Sequence, residues 1–238
     1  MKARTPHQAA VRSTVFRKIL MSISGLFIIL FLLMHAFGNM KLIGPHGAEH
    51  FDAYAHSLRT FLYPILPEKF FLNVFRAVLL LCALIHIEAA VRLTMRDRQA
   101  TEGRARYVKR RYLAGSFAAR TMIWSGLLIL VGGIAHLAQF TWQAIRVSYP
   151  EGMTDIAPHA RVILAFENWW VWALYLLWMV LICTHIYHGC FSAFVTLGAR
   201  VGKDSNAVIK FCAVVIAFAL LIGFMLVPTL ILFGVITL

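Results

Sequence analysis

Four histidines, His35, His86, His136 and His185, each lie within a different long apolar stretch. A histidine surrounded by hydrocarbon gives up the water that satisfies its ring nitrogens, so at such depth it is costly and marks a site. Two imidazoles from different helices at one level can fill both axial positions of a haem iron. An iron held that way has no open position, which favours electron transfer over oxygen chemistry. Whether the four form such pairs depends on their depths, and the depths depend on the elements that carry them.

The chain has 238 residues, 61% of them hydrophobic and 14% charged, with a mean hydropathy of +0.76. That composition describes a polytopic membrane protein rather than a soluble domain. Five runs are long enough to cross roughly 30 Å of hydrocarbon: about 19 to 40, 70 to 91, 121 to 142, 168 to 197 and 211 to 237. Each must be a helix, because backbone facing lipid has to satisfy its own hydrogen bonds. The expected fold is therefore all-α, a single membrane domain over residues 1–238 with no internal repeat. In the first outer loop, residues 48 to 58 place Phe51, Tyr54, Ala55 and Leu58 at helical spacing, which predicts a short interfacial helix.

The cations fix an orientation. Five precede the first run (Lys2, Arg4, Arg12, Arg17 and Lys18), nine lie from Arg92 to Arg120, and Arg200, Lys203 and Lys210 share their side. The opposite side holds only Lys41, Arg59, Lys69, Arg146 and Arg161. The positive-inside rule then puts the N-terminus in the cytoplasm and the C-terminus outside. The first apolar run is too long for a signal peptide and lacks a small-residue exit, so the basic N-terminus reads as a retained tail. The segment RQATEGRARYVKRRYLAGS reads as a polar inner linker.

The net charge of +13 follows from this bias and gives no support for nucleic-acid binding, since no aromatic platform interleaves with it outside the membrane. Basic inner loops suit anionic lipid or a peripheral partner. All four cysteines, Cys82, Cys183, Cys190 and Cys212, fall in predicted helices, which does not describe a disulfide framework.

Helix rise converts position into depth. His35 lies seventeen residues beyond Lys18, about 25 Å from the inner edge, whereas His86 lies six residues before Arg92, about 9 Å from it. His136 follows Arg120 by sixteen residues and so joins His35 near the outer surface; His185 follows Trp169 by sixteen and joins His86 near the inner one. The two levels differ by roughly 15 Å, room for two stacked macrocycles. Gly25, Gly126, Gly132, Gly133, Gly189 and Ala135 leave space where a flat group would approach the backbone, although small residues also promote ordinary helix packing in membranes. The plainer reading of the four histidines is interhelical hydrogen bonding within a packed bundle.

The strings LFLLMHAFGNMKL, GPHGAEHFDAYAHSLR, CALIHIEAAV, ARTMIWSGLLILVGGIAHL and THIYHGCFSAFVTLG resemble those of the five-helix, fused cytochrome b subunit of succinate:quinone oxidoreductases and fumarate reductases, over nearly the whole chain. The resemblance to the di-haem branch implies two haems b, an outer one on His35 and His136 and an inner one on His86 and His185. It implies a flavoprotein subunit with FAD and an iron–sulfur subunit as partners, with electrons passing to or from a quinone, usually menaquinone. It also implies a bacterial cytoplasmic membrane, a place in respiratory complex II and the tricarboxylic acid cycle, and scope for a higher oligomer of the complex. Nothing in the chain would perform dicarboxylate chemistry itself.

Other residues invite narrower readings. His188, one turn from His185, is a second candidate for the inner ligand or a contact to a propionate or quinone. Arg76, toward the outer end of the second run, would serve a propionate or quinone headgroup, or simply snorkel to the interface. Glu88 near the inner edge reads either as a proton-handling group or as a surface carboxylate. A quinone site would draw on Arg17, Ser22 and Ser24 at the inner side, which loosely resemble the Ser and Arg of related anchors, or on Glu49, Asp52, His56 and Glu68 in the outer loop.

His46 and His50 are four apart but lack a third ligand for a metal. Cys82, with His86, His185 and Cys183 or Cys190, offers a two-Cys, two-His set resembling a Rieske-type complement, which would put a [2Fe-2S] centre in place of the inner haem. Trp142, Trp169 and Trp170 fit an outer aromatic belt and Trp124 an inner one. Rival functions are the haem b subunit of a hydrogenase or formate dehydrogenase, a transporter or proton channel with histidine relays, and an anchor that has lost its haem.

Overall fold

A computed structural model describes residues 13–101, 117–152, 155–202 and 204–238. The basic tail before Ser13 and most of the polar linker fall outside these residues. The described chain is all-helical: α1 Thr14–Met40, α2 Gly47–Thr60, α3 Phe70–Thr101, α4 Phe117–Phe140, α5 Pro158–Phe166, α6 Trp169–Thr196 and α7 Ser205–Leu232. Helices α1, α3, α4, α6 and α7 are long and apolar enough to cross a membrane, so the protein is a multi-pass membrane protein. Lipid accounts for what would otherwise be a flaw of packing. In the most apolar window of α3 no residue is buried, and Leu80, Leu81 and Leu84 all stand exposed.

Helix ends differ from the hydropathy limits for identifiable reasons. Ser13 caps α1 by accepting from the Phe16 amide at 3.1 Å, so the helix begins ahead of its apolar run. Helix α3 continues past residue 91 as a charged extension, supported where it leaves the apolar run by an ion pair between Glu88 and Arg92 one turn apart. Glu88 is thus a half-exposed surface carboxylate. Helix α7 stops at Leu232, short of the end of its apolar run, because Gly234 takes the left-handed conformation (φ 70°). The amides of Gly234 and Val235 then return to the carbonyls of Ile231 and Leu230, which closes the helix.

The interfacial helix read at 48 to 58 is α2. Gly38 lacks the Cβ that would stand 2.7 Å from the Tyr54 ring, and this allows α2 to dock on the end of α1. Helix α5 is unforeseen in the sequence reading. It starts with Pro158, whose missing N–H is harmless at that position. Its next free amide, on His159, donates to Asp52 Oδ1 at 3.1 Å, and the His159 ring Nδ1 lies 2.7 Å from Asp52 Oδ2. A carboxylate on α2 therefore caps α5, a contribution of about 1 kcal/mol on the usual scale of such caps.

Two cores hold the bundle. One joins Met179, Ile182, Ile186 and Cys190 of α6 to Ala213 and Leu220 of α7 and Ala36 of α1. The other, at the end that carries α2 and α5, gathers Leu42, Ile163, Phe166, Val171, Val227 and Ile231. Around this frame α3 packs on α1 and α4 packs on α6, while α1 and α4, and likewise α3 and α6, make no extensive contact. Helices α1 and α6 also pack on each other and so join the two pairs, and the histidines meet across the α1–α4 and α3–α6 approaches that lack such packing.

Candidate functional site: two histidine pairs

His35 of α1 meets His136 of α4 with ring centroids 5.9 Å apart at 87°, and His86 of α3 meets His185 of α6 at 6.4 Å and 60°. An imidazole nitrogen binds a metal at about 2 Å and lies about 1 Å from its ring centre, so two rings in line across one iron have centres about 6 Å apart. Both pairs match that spacing. In each pair the rings approach although their parent helices do not pack closely on each other.

The levels can be measured along two helices independently. His86 lies against Gly25, where a Cβ would come within 3.1 Å of its Cε1, and His35 is ten residues further along α1. His185 lies over Gly126, where a Cβ would stand 3.5 Å from its Cε1, and His136 is ten residues further along α4. Each interval corresponds to about 15 Å of helix.

The hydrogen-bond partners select the ring nitrogen left free. His86 Nδ1 is 3.0 Å from the Met21 carbonyl oxygen, which can only accept. His185 Nδ1 is 3.0 Å from Ser125 Oγ, and that hydroxyl gives its own proton to the Met122 carbonyl. His136 Nδ1 is 3.3 Å from the Tyr175 hydroxyl, which donates to Gln139 Oε1 at 2.9 Å. At His86 the carbonyl assigns the proton to Nδ1, so Nε2 of the neutral ring keeps its lone pair; at His185 and His136 the hydroxyls engage Nδ1 and leave Nε2 without a hydrogen-bond partner among the described residues. Outer partners of this kind fix the tautomer and orientation of metal-bound histidines.

His35 is placed instead by packing, stacked on Phe31 at 5.4 Å and flanked by Phe224 at 5.6 Å. Around His136 stand Phe140 and Trp178 at 5.2 and 5.8 Å. The Trp178 indole occupies the space left by Gly132, and its Nε1 donates to the Ile129 carbonyl at 3.3 Å. One turn from His136, buried Gln139 leaves its Nε2 without a partner among the described residues, a donor available to a polar substituent of a bound group. The ring spacing at both levels, the engaged Nδ1 atoms of three of the rings and, at the outer level, this orphan donor fit a haem held by each pair.

The remaining candidates are dispersed. His188 is half-buried and shows no ring contact with His86 among the described residues; the facing ring is that of His185. Arg17 is half-buried near the start of α1. Ser22 and Ser24 are buried, and the Ser24 hydroxyl donates to the Leu20 carbonyl of its own helix at 2.7 Å. Asp52 is engaged with His159, Glu49 is exposed with His46 Nδ1 at 3.7 Å, and His56 and Glu68 are exposed. Arg76 is exposed and shares a pocket with Arg59, Lys69 and Arg161, a basic cluster that sequence spacing does not reveal.

Two of the cysteines turn toward α7 rather than toward the inner histidine pair. Cys183 donates to the Ala217 carbonyl of α7 at 3.2 Å, and Cys190 is buried in the core shared with α7. Among the described residues no three His, Cys, Asp or Glu side chains converge as a metal site needs, so the two-Cys, two-His set is not gathered.

Fold and site define a helical membrane protein with two intramembrane histidine pairs at two levels. No family model, curated protein or solved structure matches the chain.

Proposed function

We propose that the chain is the cytochrome b membrane anchor of a succinate:quinone oxidoreductase or fumarate reductase. The observation that carries this reading is the set of facing imidazoles at iron-spanning distance, three of them with Nδ1 committed to a neighbour and Nε2 free. The resemblance of the histidine-bearing strings to that family supplies the enzyme. His35 and His136 would hold the outer haem b and His86 and His185 the inner one. A haem at each level would supply a one-electron couple, allowing electrons to cross between an iron–sulfur partner and a quinone such as menaquinone.

The chain's own residues have definite tasks in this account. The Met21 carbonyl, Ser125 and Tyr175 orient the imidazoles and raise their basicity as ligands. The aromatic side chains at the outer level exclude water from that pair. The cytoplasmic ends of the helices, on the cation-rich side, would seat the flavoprotein with FAD and the iron–sulfur subunit. The complex would lie in a bacterial cytoplasmic membrane, with the N-terminus inside and the C-terminus outside.

Affinity purification of the tagged chain from its native membranes tests this. We expect two soluble subunits, one flavin-bearing and one iron–sulfur-bearing, to co-purify, and succinate to bleach a menaquinone analogue or reduce the haem bands. Isolation with hydrogenase or formate dehydrogenase subunits, or without any redox partner, would overturn it.

A further inference from the structure

The end of the bundle carrying α2 and α5 is poor in cations, yet four of them line one pocket of about 270 Å³: Arg59, Lys69, Arg76 and Arg161. One carboxylate, Asp155, lines it too, and Arg161 already holds it at 2.7 Å. Arg161 is locked further by donating to the Ile156 and Phe140 carbonyls. Among the described residues Arg59, Lys69 and Arg76 have no ion pair or side-chain hydrogen bond, so three positive charges face one cavity without a counter-ion. A charge such as Arg76, within a membrane-spanning helix, is costly unless something there uses it.

The backbone is bent to make this cluster. The Lys69 amide donates back to the Arg59 carbonyl at 2.6 Å, and Lys69 takes a left-handed φ of 65°, which a non-glycine residue adopts at a cost. The turn between them pushes apolar side chains outward, with Phe61 52%, Tyr63 61% and Ile65 84% exposed, and Phe70 and Phe71 continue the apolar surface onto α3. Leu72 lines the pocket itself. A cationic cup beside an apolar lip at the end of spanning helices matches an amphiphile with an anionic head. A freely soluble anion would have no use for the lip.

We propose that this pocket binds the phosphodiester of one anionic membrane phospholipid, with its acyl chains lying along the lipid face of α3. The site is independent of the electron-transfer reading and rests only on the protein spanning a membrane. Native mass spectrometry of the full-length detergent-solubilised protein, titrated with phosphatidylglycerol or phosphatidylcholine of identical chains, provides the test. One phosphatidylglycerol should be retained preferentially. The Arg59→Gln/Lys69→Gln variant should lose about thirtyfold in that affinity, from two cations beside an anionic headgroup.

The charge-conserving Arg59→Lys/Lys69→Arg variant should keep the preference. Arg76→Gln, read separately, should weaken it and supplies the test if the double variant misassembles. Three results would overturn the proposal: an unchanged preference in the glutamine variants, displacement of the lipid by millimolar inorganic phosphate, or loss of one haem with lipid retention unaltered. The second would mark a small-anion site and the third a seat for haem carboxylates.

Discussion

His185→Ala is expected to reduce the protein to one haem, whereas His188→Ala, one turn further along α6, leaves two. The two histidines share a helix and a neighbourhood, so composition and hydropathy barely distinguish them. Geometry does. The His185 ring faces His86 at 6.4 Å and has its Nδ1 held by Ser125 at 3.0 Å, which leaves Nε2 as the available donor. Changing a supporting partner typically lowers metal affinity about 10- to 100-fold, and removing the ligand itself goes further. Pyridine haemochrome content of the two purified variants measures the difference. Equal content in both would remove His185 from the site.

The second large effect falls on a residue with no donor atom. Gly25→Leu is expected to abolish the same inner haem as His86→Ala, because a Cβ at position 25 would already stand 3.1 Å from His86 Cε1 and 3.2 Å from its Nδ1. A whole side chain there must evict the ring, break its bond to the Met21 carbonyl and move Nε2 out of line with His185. Overpacking of this kind also costs about 1 to 3 kcal/mol of stability. Gly25→Ala should be graded, retaining haem with an altered midpoint potential as the ring shifts by a few tenths of an ångström. Redox titration and haem content of both variants decide it, and two unperturbed haems in Gly25→Leu would show that the ring position is immaterial.

Much of this is legible in the sequence for physical reasons that can be located. Five crossings follow from apolar length, and once each crossing is a helix the rise per residue leaves little freedom in depth. The pairs His35 with His136 and His86 with His185 therefore emerge before any coordinates. Helix ends are less legible, since hydropathy marks where a chain leaves hydrocarbon and not where its hydrogen-bond ladder stops. The charged extension of α3 and the early closure of α7 at Gly234 are instances. Helix α5 is hidden because nine residues opening on proline read as a loop, and its cap comes from Asp52, more than a hundred residues away.

The supporting partners of the histidines are the least legible part. Met21 contributes a backbone carbonyl, which any residue would carry, and hydroxyls such as Ser125 and Tyr175 are common in packed bundles. The glycines show the same ambiguity. A missing Cβ announces a close approach without naming what approaches: at Gly25 and Gly126 it is a histidine ring, at Gly132 an indole, and at Gly133 nothing lies within 4 Å. The grouping of Arg59, Lys69, Arg76 and Arg161 likewise depends on a turn and on α5, neither of which has a periodic signature.

The central claim is that opposed imidazoles hold iron at two levels of the membrane. Haem, total iron and acid-labile sulfide determined per chain on the purified protein test it most directly. The account predicts two haems b, two irons and no sulfide. One haem accompanied by iron and sulfide, or no haem at all, would contradict it.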